Sequence, residues 1–258
     1  MNFRKILLIC VCALMFDISV FAAEIEKNNW KSAAELGYVH VSGNTNTETT
    51  KASFDLSYGT SNWAHKIHME ALSSDSETID NSVTPAVTTS ERTAARWLFL
   101  GQTDFKFGKL DYFFGLLSYE DDRFGGFQYQ AKAGIGYGRR LIRTDEHELK
   151  FEIGPGYRMY RIDQLAPPAP LEETQDETQL RVNAGYIWKI SKTSQLTEDL
   201  TYESGHDQKE WKSVTALTAK VNSILAMKVS HTVKNLDKVP LGSKNYDRET
   251  SVTLVFTF

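Results

Sequence analysis

Cysteine, long apolar runs and a basic excess are what this chain of 258 residues lacks. Its two cysteines, Cys10 and Cys12, both fall in an N-terminal stretch laid out like an export signal. Arg4 and Lys5 supply the positive start, Ile6–Phe16 is apolar, and Val20, Phe21 and Ala22 place compact residues before a cleavage point. The expectation is a signal peptide over residues 1–22 and a mature chain over 23–258 that carries no cysteine. Disulfides, thiolate metal sites and cysteine nucleophiles are then excluded. No later segment reaches the roughly 18 continuous apolar residues of a spanning helix. The net charge is −4, and losing Arg4, Lys5 and Asp17 makes it slightly more acidic. That balance gives no support to the basic footprint of a nucleic-acid binder. Proline is scarce too: three of six, Pro167, Pro168 and Pro170, crowd into one stretch, and none interrupts the final residues 246–258.

What is present is alternation. Phe127, Tyr129, Ala131, Ala133, Ile135 and Tyr137 share one parity, against Gln128, Gln130, Lys132, Gly134, Gly136 and Gly138. After Arg143–Glu146 the pattern returns, with Leu149, Phe151, Ile153, Pro155, Tyr157 and Met159 against Glu148, Lys150, Glu152, Gly154, Gly156 and Arg158. Strands in soluble sheets usually end near five or six residues, whereas strands twice as long with one apolar face suit a wall between lipid and a polar lumen. Composition does not decide the matter: 41% hydrophobic residues would also suit an ordinary soluble domain, because each barrel strand is only half apolar.

The rest of the chain repeats the theme. Ala52, Phe54, Leu56 and Tyr58 lead to a turn at Gly59–Asn62, and Trp63, His65, Ile67, Met69 and Ala71 follow. Ser73–Ser90 and Asp163–Asp176 read as long polar loops, and Ser42–Glu48, Glu120–Gly125 and Asn235–Tyr246 as shorter ones. Trp97, Phe99, Phe105 and Phe107 form another apolar face; so do Leu180, Val182, Ala184, Tyr186, Trp188 and Ile190. Leu110–Tyr119 is apolar on both parities, so its orientation is not legible. Leu196, Leu200 and Tyr202, then Trp211 and Leu217, then Leu225, Met227, Val229 and Val233, and last Val252, Leu254, Phe256 and Phe258 complete the set. The sum predicts an all-β fold, a closed antiparallel transmembrane β-barrel of about 12 strands with both termini on the periplasmic side. A soluble β-sandwich or lipocalin-like barrel is the competing reading. It accounts poorly for so many strands in one domain.

The motifs GYVHVSGNTNTETT (Gly37–Thr50), YEDDRFGGFQYQ (Tyr119–Gln130), GIGYGRRLI (Gly134–Ile142), FEIGPGYR (Phe151–Arg158), EDLTYESG (Glu198–Gly205) and WKSVTALTAK (Trp211–Lys220) occur in this order. In them the chain resembles a family of bacterial outer-membrane proteins that includes YdiY. The resemblance implies a membrane barrel in the cell outer membrane of a Gram-negative bacterium. It brings no substrate, cofactor or catalytic set with it. Outer-membrane lipid and, during insertion, the barrel-assembly machinery are the expected partners.

Parity places Lys51, Asp55, Lys66, Glu70, Arg96, Asp104, Lys132, Glu148, Lys150, Glu152, Arg158 and Arg181 on the lumen side, along with Glu35. Mixed signs at such spacing either line a small non-specific solute or ion channel or lock together and seal the lumen of a structural or lipid-binding envelope protein. The inner face is expected to be polar, with no apolar plug sequence to fill it, save that one of the two apolar faces of Leu110–Tyr119 is expected to pack against bulky lumen residues. His65 and His68 are an odd number apart and point to opposite faces, against a shared metal. Ser204, His206 and Asp207 stand close in sequence without a strained nucleophile turn, and Glu120, Asp121 and Asp122 read as a solvated rim. No metal, cofactor or enzymatic activity is expected.

Overall fold

Period-two alternation leaves a chain little choice but extended strands. The computed structural model describes residues 29–41, 45–80, 87–122, 127–162, 174–238 and 245–258. Their regular elements are twelve strands: β1 (Trp30–Val41), β2 (Thr45–Gly59), β3 (Trp63–Asp80), β4 (Val87–Lys106), β5 (Asp111–Asp122), β6 (Phe127–Arg143), β7 (His147–Ile162), β8 (Thr174–Trp188), β9 (Ser194–Gly205), β10 (Lys209–Lys220), β11 (Leu225–Leu236) and β12 (Tyr246–Thr257). Each lies beside its sequence neighbours, and β1 pairs antiparallel with β12 from Ala33↔Thr257 to Leu36↔Leu254, which closes a twelve-stranded barrel. The chain divides into residues 1–30 and residues 31–258. The leader over residues 1–22, Asn44 and most of the proline-bearing loop lie outside the described residues.

One expected loop is largely strand. β3 continues to Asp80 and β4 begins at Val87, so most of Ser73–Ser90 is a paired ribbon with a bulge at Ser74/Asp75. A ladder is built from backbone hydrogen bonds and does not itself require an apolar face. Cross-strand pairs such as Arg92 to Asp75, at 3.1 Å, fill the place of apolar ones. By the same logic Thr45–Glu48 belongs to β2 and Glu120–Asp122 to β5.

The outer face carries aromatic clusters at two levels. Toward the short turns, Trp63 meets Phe105 at 4.9 Å, Phe107 stacks on Phe113 at 4.7 Å, and His147 stacks on Tyr186 and Trp188. Toward the other end, Tyr119 stacks on both Trp97 and Tyr129. Trp97 and Phe105 share β4; at ~3.3 Å of rise per residue and a tilt near ~40°, roughly 20 Å separates the two levels. Large apolar side chains stand exposed between them, among them Leu117, Ile135 and Leu200.

β5, illegible in sequence, is settled by its neighbours. Tyr112, Phe114 and Leu116 are buried on the inner face, while Phe113 and Leu117 are exposed outside. Across the ladder they oppose Gly138, Gly136 and Gly134 of β6. A Cβ on Gly138 would lie 2.3 Å from the Tyr112 ring, and one on Gly136 would lie 2.7 Å from Phe114. The glycines are therefore the space into which the rings fold. Leu100 of β4 packs against the same cluster. One face of this strand is thus bulky and faces inward, as its two apolar parities suggested, and the inner face is not purely polar: a strip of side-chain-free wall invites bulky residues from the next strand.

Candidate functional site: the barrel interior

Strands that are not neighbours in a closed wall can touch only across its interior. Lys234 of β11 and Glu120 of β5 are six strands apart by either route around the barrel, and they pair at 3.3 Å. Lys132 of β6 reaches Glu203 of β9 at 2.5 Å and Glu210 of β10 at 3.1 Å. Arg158, 1% exposed, pairs with Glu177, approaches Glu210 at 3.8 Å and donates to the Gln208 carbonyl at 2.8 Å. Glu177 also accepts the Asp207 amide at 2.7 Å, which ties the β9–β10 turn to this cluster. Arg181 completes it with a 3.2 Å bond to Glu203.

A second cluster joins β2, β3, β4 and β12. Arg96 donates to Glu70 at 2.6 Å and to Glu249 at 2.7 Å, and Lys51 meets the same two carboxylates at 3.1 and 2.5 Å. Four charges in two alternating pairs neutralise one another, so each offsets part of its neighbours' desolvation. Nearer the short turns Glu152, 1% exposed, accepts from the Tyr112 hydroxyl at 2.8 Å, Lys150 at 3.0 Å and Gln102 at 3.1 Å. Gln102 also donates to Asp104 at 2.8 Å, and Arg140 covers the Tyr112 ring at 5.3 Å. Ionic and aromatic filling thus meet at one carboxylate.

Of the remaining candidates read from sequence, Asp55 pairs with His68 at 2.8 Å and Glu148 lies 3.5 Å from Arg140. Lys66 stays exposed. Glu35 pairs with Lys228 at 2.8 Å. Glu177, Glu210, Lys228 and Lys234 join the interior without standing in the parity set, and Glu120, which reads as part of a solvated rim, lies on β5 and points inside. The available signal was their polarity at inner parity on strands with weak alternation.

Below the Glu35 to Lys228 pair the interior opens into a cavity of about 550 Å³ at the short-turn mouth. Lys189, Lys192, Lys220 and Lys228 line it together with Glu35 and several hydroxyls. His65 bonds Thr103 at 3.1 Å while His68 pairs with Asp55, so the two histidines diverge. His206 is exposed at the β9–β10 turn, and the Asp207 amide is directed to Glu177. Among the described residues no group of three or more His, Cys, Asp or Glu side chains could hold a metal ion.

A family model aligns with residues 34–258, from β1 to the terminal phenylalanine. The chain belongs to the family described as Protein of unknown function, DUF481. The resemblance carried by the sequence motifs is thereby confirmed. A relative is the Uncharacterized protein YdiY of Escherichia coli (strain K12), 24% identical over 247 residues, a match that covers 93% of this chain and 90% of that one. Among solved structures, the translocator domain of autotransporter NalP from Neisseria meningitidis superposes on this DUF481 chain with a TM-score of 0.51. That match is 8% identical and covers 97% of this chain and 96% of that one. The NanC porin follows with a TM-score of 0.49 and 10% identity, covering 87% of this chain and 98% of its own. At 8% identity the NalP likeness is one of fold.

Proposed function

We propose that this DUF481 chain is an outer-membrane β-barrel that closes its lumen with its own side chains and serves the envelope as a sealed barrel rather than an open pore. The observation that carries the reading is the Lys234 to Glu120 pair, which spans the interior between opposite walls. The buried Arg158 and Glu152 and the rings of Tyr112 and Phe114 support it, since a water-filled channel would leave such groups wet. The two aromatic levels on the outer face, roughly 20 Å apart, match the girdles flanking the apolar band of an outer-membrane barrel. Inner faces of mixed sign also lack the one-signed ring that field-selective conduction favours.

A second reading, a small solute or ion channel, is favoured by the cavity at the short-turn mouth. The closure above it is made of side chains that can move. Planar-bilayer conductance of the refolded mature chain separates the two. The sealed reading expects no reproducible steps from folded protein under several salts and voltages, and steps to appear once Lys132, Lys234 and Arg158 are replaced together by alanine. Steady conductance from the unaltered chain would instead establish the channel. Placement in the membrane has its own test: protease on intact cells should cut within 163–176 and spare the Ser191–Ser194 turn.

A further inference from the structure

Each strand from β9 to β12 breaks its outward alternation, and the register sets the breaks side by side. The outer parity of β9 runs Leu196, Glu198, Leu200, Tyr202; that of β10 runs Trp211, Ser213, Thr215, Leu217. On β11 it runs Met227, Val229, His231, Val233, and on β12 Arg248, Thr250, Val252, Leu254. The ladders pair Glu198 with Thr215, Thr215 with His231, and His231 with Thr250. One polar row therefore crosses four strands. Toward the short turns it is bordered by Leu196, Leu217, Val229 and Val252, which form an apolar row of their own.

The row is also bonded within itself. Glu198 accepts from Ser213 at 2.6 Å and from Thr215 at 2.5 Å, and His231 shares a 2.8 Å bond with Thr250. His231 and Thr250 are exposed. The adjoining β5–β8 wall has no such row: between its aromatic levels Leu117, Ile135, Ile153 and Leu180 point outward with no ionisable residue among them, and on β3–β4 the outward His65–Thr103 pair stands in the aromatic level itself, stacked on Trp63. This inference rests on the outer-membrane reading. If lipid surrounds the barrel, a carboxylate and an imidazole between the aromatic levels are costly unless something polar covers them.

We infer that a second copy of this chain covers the row and that the β9–β12 wall is a homodimer face. The row is self-complementary. Its acid, Glu198, lies on β9, and its bases lie on the far side: His231 on β11, with Arg248 next to the row on β12. A two-fold axis through the middle sets the acidic end of one copy against the basic end of the other, the arrangement an isologous contact demands. Ser213 and Thr215 at the centre of β10 are small enough to let two walls approach closely.

Cysteine cross-linking tests it cleanly, because both native cysteines fall within the expected leader. Leu217→Cys beside the row and Ile135→Cys on the opposite wall are each expressed in the full chain, fractionated with the outer membrane and treated with a short bis-maleimide. The dimer face predicts a cross-linked band of twice the monomer mass for Leu217→Cys, several-fold stronger than for Ile135→Cys. The band should fade when Glu198→Leu and His231→Leu are added. A folded Leu217→Cys protein that stays monomeric in the outer-membrane fraction overturns the dimer and leaves the membrane reading standing. So does a product of any other mass, equal yield from Ile135→Cys, or a band indifferent to Glu198 and His231. Absence of the folded protein from that fraction overturns both.

Discussion

The inner side of β4–β8 and the inner side of β9–β1 near the short turns are built from the same alternating sequence, yet one is packed and the other holds a cavity. In the first, Tyr112, Phe114, Glu152 and Arg158 are all 4% exposed or less. In the second, hydroxyls and lysines surround about 550 Å³ of space. The difference lies in the glycines. Gly136 and Gly138 of β6 give way to the rings of Phe114 and Tyr112, and Gly185 of β8 gives way to the Lys150 chain. β9 to β12 present small polar side chains such as Thr197, Thr218 and Thr257, which occupy the wall without reaching across it. Sealing is therefore a matter of matching large residues to empty wall, with ion pairs completing what the rings begin.

That contrast can be broken most severely at Arg158. Arg158→Met strands Glu177 and Glu210 in the packed half and should cost about 3–5 kcal/mol. Lys228→Met at the cavity should cost about 1 kcal/mol or less, because Lys228 is partly exposed. Urea unfolding in lipid vesicles measures both, and equal losses would erase the distinction. Next comes the outer wall under the proposed membrane placement. Ile135→Arg should cost about 2–4 kcal/mol in the same assay, whereas arginine in place of the exposed Lys66 on the inner side should change little.

Two further glycines differ by less, one of them held against the backbone of its neighbour. A Cβ on Gly154 would sit 2.0 Å from the Ile135 carbonyl oxygen, while one on Gly115 would meet nothing within 4 Å. Gly154→Ala should then lose about 1–3 kcal/mol, and Gly115→Ala should be neutral or slightly stabilising. Smallest of all is Lys192→Gln at the cavity rim, where a change within about 0.5 kcal/mol is expected.

Much of this was legible in sequence because parity survives without any knowledge of partners. Phe151 and Glu152 fall on opposite faces whatever strand lies beside them. What parity could not supply was register. Glu198, Thr215, His231 and Thr250 each look like an isolated lapse, and only the ladders line them up. Nor could it show that Lys234 belongs with Glu120, more than a hundred residues earlier in the chain. Tyr112 and Phe114 were ambiguous since their strand is apolar on both sides; the inward glycines one strand later carried the answer. Ser73–Ser90 failed for the opposite reason, because a polar ribbon has no apolar period to read.

The pair joining β5 to β11 has a mechanical meaning as well. A thin-walled tube flattens when it is pressed from one side, because each point of the wall need only bend a little. A rod fixed across the diameter removes that mode, since opposite walls can no longer change their spacing independently. Lys234 and Glu120 form such a rod, and Lys132 with Glu203 and Glu210 forms a second, shorter one. The cross-section at their level is thereby held to one outline. The distances between the connections that leave that end of the barrel are set by struts inside it, rather than by whatever presses on it from outside.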